Sequence, residues 1–239
     1  MKRALLLAVI LLLSYASYAC TTCNRQIREA IWNSTFVPNL LTMLSAFFVL
    51  AIIVIVLTVL SVKRHTANTF RHAGNEILNP VPLTTAALVL GIGLGGFIDG
   101  IVFHQILQWH EMLSNKMPPV NYVTKSVNMF WDGIFHAFCL LVVMVGVVLM
   151  WKLLWKKDIE RSGKLLGGGL LAGWGLFNII EGLINHHWLK LHNVREITNN
   201  VDLWNYGFLA VSVLMLIVGF IIVNTRHKNA VVASTNKTS

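Results

Sequence analysis

Charged residues are scarce in this chain, and the scarcity excludes several classes of protein. Only 12% of the 239 residues are charged and 56% are hydrophobic, whereas a soluble domain is about 25% charged and about 45 to 50% apolar. Five prolines and three cysteines are too few for a collagen-like repeat or a disulfide scaffold. The mean hydropathy of +0.67 excludes intrinsic disorder. The composition therefore indicates a multi-pass membrane protein.

Acidic residues are also in the minority, at 10 against 19 Lys and Arg, so the net charge is +9. In a soluble chain this excess would suggest nucleic-acid binding. Here the basic residues lie between apolar segments, which is typical of loops that face anionic lipid. We therefore expect membrane lipid as a partner and no nucleic acid.

The first 19 residues have the composition of a signal peptide. Lys2 and Arg3 precede an apolar run, and Ser17 and Ala19 are the small residues that a signal peptidase recognises. Cleavage after Ala19 would leave Cys20 as the first residue, which also allows lipidation. An uncleaved signal anchor, with one extra membrane span, is the remaining alternative.

Five later segments are long and apolar enough to cross about 30 Å of hydrocarbon, which takes about 20 helical residues each. The predicted fold class is therefore all-α, a polytopic membrane helix bundle with five transmembrane helices after the signal peptide. The predicted spans are residues 40–62, 82–107, 126–151, 165–189 and 204–223.

The distribution of Lys and Arg predicts the orientation of these spans. The segments that follow the first, third and fifth spans carry eleven basic residues, and the segments on the other side carry six. The richer side is cytoplasmic, and the signal peptide independently exports the segment that follows it. We expect a bacterial inner-membrane protein with residues 20–39 in the periplasm and residues 226–239 as a cytoplasmic tail.

The chain also contains an internal similarity. A displacement of 82 positions aligns residues 91–110 with residues 173–192, and eight of the aligned pairs are identical. Two histidine pairs and three glycine pairs are among them, which is unlike a chance match between apolar helices. We predict a four-helix membrane domain, residues 80–225, made of two tandem repeats at about 82–151 and 164–224.

The return helices of the two repeats, the third and fifth spans, are less alike. Aligning Gly133 with Gly207 places Tyr206 opposite Asp132 and Ala210 opposite His136. On this alignment only the first return helix carries polar residues.

Three of the ten acids, Asp99, Asp132 and Glu181, lie inside predicted spans. An ionised side chain costs at least about 2.5 to 3.5 kcal/mol at the centre of a membrane helix. No Lys or Arg occurs within the five predicted spans, so these carboxyl groups need a proton, water, a metal cation or a histidine as a partner. The same helices and their outer ends supply six histidines: His104, His110, His136, His186, His187 and His192.

Helical geometry places the acids and His136 in one layer in the outer half of the membrane. Asp132 and His136 are one turn and about 40° apart in an α-helix, so this pair can bind one ion. Asp99 and His104 are about 140° apart, which is too far to share an ion directly. Three glycines lie in the arc between them, where they open a groove or let a neighbouring helix approach.

These residues predict a transition-metal site. Carboxylate and neutral imidazole suit copper, zinc, iron or manganese and need no thiolate. Haem is the alternative occupant, because facing histidines can supply both axial ligands, but it would leave the acids unexplained. The predicted metal ligands are Asp99, His104, Asp132, His136, Glu181 and His186. His110, His187 and His192 are predicted to support the site, line its entrance or lie at the membrane interface.

Cys20 and Cys23 form a CxxC motif on the predicted exported side. Thiols oxidise there, so we expect a disulfide. A docking point for Cu(I) or another soft metal at the entrance of the site is the alternative.

Three motifs occur in order: GGFIDGIVFHQILQWH, DGIFHAF and GWGLFNIIEGLINHHWLKLH. Over about residues 80 to 225 they resemble a family of bacterial multi-pass membrane proteins catalogued only as a domain of unknown function. The resemblance implies the helical membrane fold and the importance of these motifs, and it brings no established activity. It also suggests a link to factors for cytochrome oxidase assembly, which would favour copper.

The sequence therefore predicts a transition-metal protein of the inner membrane, with a slight preference for a metal-dependent enzyme that acts on a lipid-like or small substrate. The alternative is a copper-handling, haem-binding or assembly subunit associated with a respiratory oxidase, with a respiratory complex or a metal-delivery protein as its partner.

Overall fold

The computed structural model describes residues 24–71 and 78–235. The predicted signal peptide, Cys20 and Cys23 lie outside the described residues. The helices are α1 (Arg25–Ile31), α2 (Phe36–Arg71), α3 (Val81–Ile98), α4 (Tyr122–Leu153), α5 (Gly163–Glu181) and α6 (Val201–Thr235). Two π-helical segments, Asp99–Ile106 and Gly182–Trp188, continue α3 and α5.

The five predicted spans are confirmed, because five helical stretches are long and apolar enough to cross a membrane. Each stretch contains its predicted span, apart from one residue at the end of the second and the fourth. Residues 24–71 and 78–235 form no strand beyond an isolated bridge between Asn79 and Ile159. The protein is thus an all-α, multi-pass membrane protein. The stretches are Phe36–Ala67, Val81–Ile106, Tyr122–Leu153, Gly163–Trp188 and Val201–Thr225.

The starts of the central helices are encoded locally. Asn121 and Thr124 form a capping box at the start of α4, which satisfies backbone N–H groups that have no partner within the helix. The Ser162 side chain accepts from the Lys164 N–H at the start of α5. Pro82 lies in the first turn of α3, where the missing N–H costs nothing.

α3 and α5 form the central pair of the bundle. A Cβ atom at Gly91 would overlap the carbonyl oxygen of Leu170, and a Cβ at Gly173 would overlap that of Leu88. These two contacts are equivalent, because Gly91 and Gly173 differ by 82 positions and so do Leu88 and Leu170. Glycine is therefore needed for the two backbones to touch.

The outer helices pack on this pair in matching ways. α4 contacts α3 where Gly93 meets Val143, and α6 contacts α5 where Gly175 meets Leu216. Val143 and Leu216 differ by 73 positions, although the alignment of Gly133 with Gly207 implies 74. The predicted alignment of the return helices is therefore wrong by one residue.

The corrected alignment changes the residues that correspond to the polar pair of α4. A difference of 73 positions places Asn205, and not Tyr206, opposite Asp132. It also places Leu209, and not Ala210, opposite His136. These matched contacts are those expected of two tandem two-helix repeats; their common ancestry stays a prediction.

Both π-helical segments end in the same unusual turn. Gln108 and Lys190 have φ values of 49° and 48°, in the left-handed region that residues with a side chain rarely adopt. The following N–H groups bond back to Phe103 and Asn185, six residues earlier. The chain therefore folds back onto the bundle after each π-helix.

The connections after these turns are buried parts of the bundle. Met112 and Leu113 in one connection, and Leu191 in the other, are at most 2% exposed. They join a common core with Ile31 of α1 and Trp131 of α4. The two connections thus carry polar residues into the protein interior at the end of the bundle where α4 begins.

Candidate metal centre

The π-helices place an acid and a histidine together twice. In a π-helix each hydrogen bond joins residues i and i+5, so residue i+5 lies above residue i. His104 Nε2 is 3.3 Å from Asp99 Oδ2, and His186 Nε2 is 3.2 Å from Glu181 Oε1. The prediction that Asp99 and His104 lie too far apart was wrong, because it assumed an α-helix.

The buried connections bring His110 and His192 between these pairs. The two rings are parallel, with centroids 4.7 Å apart, and both residues are at most 3% exposed. His110 Nδ1 bonds to the carbonyl oxygen of Val194 at 2.8 Å, and His192 Nδ1 bonds to that of Met112 at 3.0 Å. The structure thus places these histidines inside the cluster and not at an entrance.

Three of the histidines are oriented by a hydrogen bond at Nδ1. His104 Nδ1 lies 2.8 Å from Asp132 Oδ1, and the Nδ1 atoms of His110 and His192 face carbonyl oxygens. A carbonyl and an ionised carboxylate only accept, so each Nδ1 carries a proton and each neutral ring has its lone pair on Nε2. Metal-binding histidines in proteins have this pattern.

The ligand atoms converge in two overlapping groups. His104, His110 and His192 form one group, and Glu181, His186 and His192 form the other; within each group the ligand atoms lie within 4.8 Å of one another. His192 belongs to both groups, and its Nδ1 already bonds to a carbonyl oxygen. Only Nε2 is left to bind an ion, so the two groups are alternative ligand sets.

The ring nitrogens of His192 both face acceptors. Its Nδ1 bonds to a carbonyl oxygen, and its Nε2 is 3.1 Å from Glu181 Oε1. His104 lies in the same way between Asp132 and Asp99. A neutral imidazole has only one N–H, so each of these contacts at Nε2 needs one more proton, on the ring or on the carboxyl group, or a metal ion.

Asp132 acts through other residues. Its Oδ1 accepts from His104 Nδ1 and also from the backbone N–H of Met112 at 2.9 Å. It therefore fixes both the ring of His104 and the segment whose carbonyl holds His192. This position is that of an orienting carboxylate.

His136 is not part of either ligand group. Its ring lies against Gly100, where an added Cβ would overlap Nε2, and against the ring of Phe97 at 5.9 Å. The predicted pairing of Asp132 and His136 around one ion is not seen, because Asp132 faces His104. His187 also lies outside both groups: its Nδ1 bonds to the carbonyl of Gly182 and its ring faces Tyr206.

Several supporting residues were not identified from the sequence. Asn185 donates to Glu181 Oε1 at 3.3 Å. Asn205 accepts from the Val194 N–H at 2.9 Å and so holds the segment that contacts His110. For Asn205 the signal was its correspondence to Asp132 at an offset of 73 positions. The carbonyl residues Met112 and Val194 differ by 82 positions, as His110 and His192 do.

Two titratable residues at the beginning of the first connection, His110 and Glu111, have altered pKa values. Burial and the neighbouring histidines hold the pKa of His110 well below its ordinary value, which keeps the ring in the neutral form that binds metals. Burial raises the pKa of Glu111, which forms an ion pair with Lys125. The Lys125 side chain is partly exposed.

The ring spacings leave no room for a haem held between these paired histidines. The centroids of His104 and His110 are 4.3 Å apart, and those of His186 and His192 are 4.7 Å apart. Axial imidazoles lie on opposite faces of a haem, with the porphyrin between them. Rings in van der Waals contact leave no space for a porphyrin.

Comparisons with known proteins give a family for the chain. Neither a curated protein nor a solved structure matches it. A family model described as "Predicted membrane protein (DUF2243)" matches residues 86–226. This range includes every residue of the two ligand groups, and the resemblance inferred from the three motifs is confirmed. The chain belongs to this family of predicted membrane proteins.

Proposed function

We propose that this protein holds one transition-metal ion as a resident cofactor in the histidine cluster. The observation that carries the proposal is the convergence of ligand atoms from His104, His110 and His192, whose Nδ1 atoms each already have a hydrogen-bond partner. If the three rings were protonated, their positive charges would repel one another, because the ligand atoms lie within 4.8 Å. If the rings are neutral, one metal ion can bind all three lone pairs. The carboxylates of Asp99 and Glu181 would balance its charge.

The burial of the ligands supports a resident ion. The side chains of His104 and His192 are 0% exposed and that of Glu181 is 1% exposed. An ion in transit needs ligands that solvent can reach, whereas these side chains are almost completely buried. Such burial favours a cofactor over cargo.

We propose further that the protein is a metal-dependent enzyme acting on a lipid-like or small substrate from the outer half of the membrane. A bound ion of this kind supplies Lewis-acid or redox chemistry. Both ring nitrogens of His186 lack a hydrogen-bond partner among the described residues. His186 can therefore complete the ligand set at Nε2, beside Glu181.

Elemental analysis and an optical spectrum of the protein, purified in mild detergent without chelators, test the proposal. We expect about one transition-metal ion per chain and no Soret band, since the ligand set is imidazole and carboxylate. A strong Soret band without another stoichiometric metal would establish haem and overturn the proposal. Failure to bind zinc, copper, iron or manganese on reconstitution would also overturn it.

A further inference from the structure

A cleft of about 590 Å³ lies at the end of the bundle opposite the histidine cluster. Three basic side chains line it, together with apolar side chains that include Leu154 and Trp155. It lies where α4 ends, and Leu154 is 22 residues, or about 33 Å of helix, from Asp132. The cleft is thus at the other face of the membrane. The basic residues are Lys156, Lys157 and Arg161.

Arg161 is a fixed part of this cleft. Its Nη2 donates to the carbonyl oxygens of Leu153, Leu154 and Lys156 at 2.9, 3.2 and 2.9 Å. The last carbonyls of a helix have no partner within the helix, so Arg161 caps α4. Its positive charge is therefore held at the end of α4. Because the side chain is already fixed, binding a ligand would cost it little conformational freedom.

The other cations of the cleft are available to a ligand. Among the described side chains, Lys and Arg pair with acids only at the opposite end of the bundle, where Arg25 contacts Glu29 and Lys125 contacts Glu111. Residues 152–164 carry five cations and two acids. The cleft therefore has an excess of positive charge that attracts an anion.

Aromatic side chains place the cleft at the depth of lipid headgroups. Trp151 and Trp155 are 62% and 75% exposed, and their ring centroids are 6.4 Å apart. Exposed tryptophans concentrate at the boundary between hydrocarbon and headgroups. The preceding turns of α4 expose Val145 and Val148, so an apolar surface continues from the cleft into the hydrocarbon.

We propose that this cleft binds the headgroup of an anionic phospholipid. The lipid phosphate lies among Lys156, Lys157 and Arg161, and the acyl chains lie along the exposed face of α4. A zwitterionic headgroup would bring a cationic amine toward the same side chains, so anionic lipid is preferred. This site is independent of the metal cluster.

Native mass spectrometry of the full chain in detergent, with phosphatidylglycerol or phosphatidylcholine added, tests the site. The double variant Lys156→Ala/Lys157→Ala keeps Arg161 and the cap of α4. We expect it to bind phosphatidylglycerol about thirtyfold more weakly than the wild type, since each lysine near an anionic headgroup contributes about a factor of five. Phosphatidylcholine should bind the wild type as weakly as phosphatidylglycerol binds the variant.

A control variant, Arg28→Ala/Lys116→Ala, removes two exposed charges at the opposite end and should bind phosphatidylglycerol like the wild type. Equal weakening in the control, or equal affinity for the two lipids, would overturn the proposal. Displacement by soluble glycerol phosphate would also overturn it, because the occupant would then be a free phosphate. Circular dichroism verifies the helix content, and Lys156→Gln/Lys157→Gln replaces the variant if alanine reduces it.

Discussion

Histidine orientation distinguishes the members of the cluster at the residue scale. Six histidines and three acids could be selected from the sequence, because each is costly in a membrane helix. The sequence could not separate ligands from neighbours, since that depends on which ring nitrogen is engaged. The backbone carbonyls of Met112 and Val194 engage Nδ1 of His192 and His110. Every residue has a backbone carbonyl, so the sequence gives no sign of which ones form these bonds.

His192→Ala should reduce bound metal to background, because both ligand groups contain His192. His136→Ala should leave the metal content unchanged, since His136 belongs to neither group. Metal per chain, measured on folded protein in detergent, compares the two variants. His187→Ala is a second control, because His187 is next to the buried His186 but belongs to neither ligand group. Equal loss in all three folded variants would contradict the assignment of the ligand groups.

Asp132→Asn should weaken metal binding without abolishing it. An amide still occupies the space of the carboxylate, but it orients the ring of His104 less firmly, and loss of such a partner typically lowers metal affinity about 10- to 100-fold. Glu181→Gln should have a larger effect, because it replaces a charged ligand oxygen with the weaker oxygen of a neutral amide. Competition titrations with a chelator measure both affinities. A complete loss in Asp132→Asn would make Asp132 a ligand.

The π-helices are the decisive feature at the scale of the element. A regular α-helix places Asp99 and His104 on different faces, and the i to i+5 bonding places them together. The recurrence of an acid and a histidine five residues apart, at 99/104 and 181/186, is a signal that sequence reasoning could have used. No propensity scale would have predicted the helix type.

The contact between α3 and α5 predicts unequal effects of glycine substitutions. Gly91→Ala should lower the apparent Tm, because its Cβ would overlap a backbone oxygen and overpacking costs about 1 to 3 kcal/mol. Gly207→Ala should leave the Tm unchanged or raise it, since nothing lies near that position and alanine favours a helix by about 0.5 to 1 kcal/mol. Thermal unfolding in detergent measures both. The reverse order would contradict the packing of these helices.

The corrected alignment of the return helices makes a further prediction. Asn205→Ala should lower metal affinity, because Asn205 holds the N–H of Val194 and so the carbonyl that orients His110. Tyr206→Phe should have no effect, since the Tyr206 ring contacts only His187 among the aromatic residues described. Parallel metal titrations of the two variants distinguish the offset of 73 positions from the offset of 74 positions between the return helices. Sensitivity at Tyr206 alone would restore the offset of 74 positions.

Hydropathy sufficed to predict the membrane helices at the scale of the whole molecule. The five spans follow from runs of apolar residues, and the structure extends them by a few residues at most ends. The buried connections could not be predicted in this way, because segments 107–121 and 189–200 read as polar loops. Their burial depends on the turns at Gln108 and Lys190, which return the chain to the bundle.

The orientation of the bundle is testable with engineered cysteines. We expect cysteines at Asn121 and Lys116 to react with a membrane-impermeant reagent in intact cells, because the basic residues favour a cytoplasmic location for the opposite end. Cysteines at Lys157 and Lys152 should react only after permeabilisation. Labelling of Lys157→Cys in intact cells would invert the topology and place the histidine cluster near the cytoplasm.

X-ray absorption at the edge of the bound metal identifies its ligands. We expect nitrogen and oxygen neighbours at about 2.0 to 2.2 Å, with the outer-shell scattering of at least three imidazole rings and no sulfur. We also expect this imidazole signal to be lost in His192→Ala and retained in His136→Ala. A stoichiometric metal with sulfur or porphyrin scattering, or with the same imidazole signal in His192→Ala, would contradict the account.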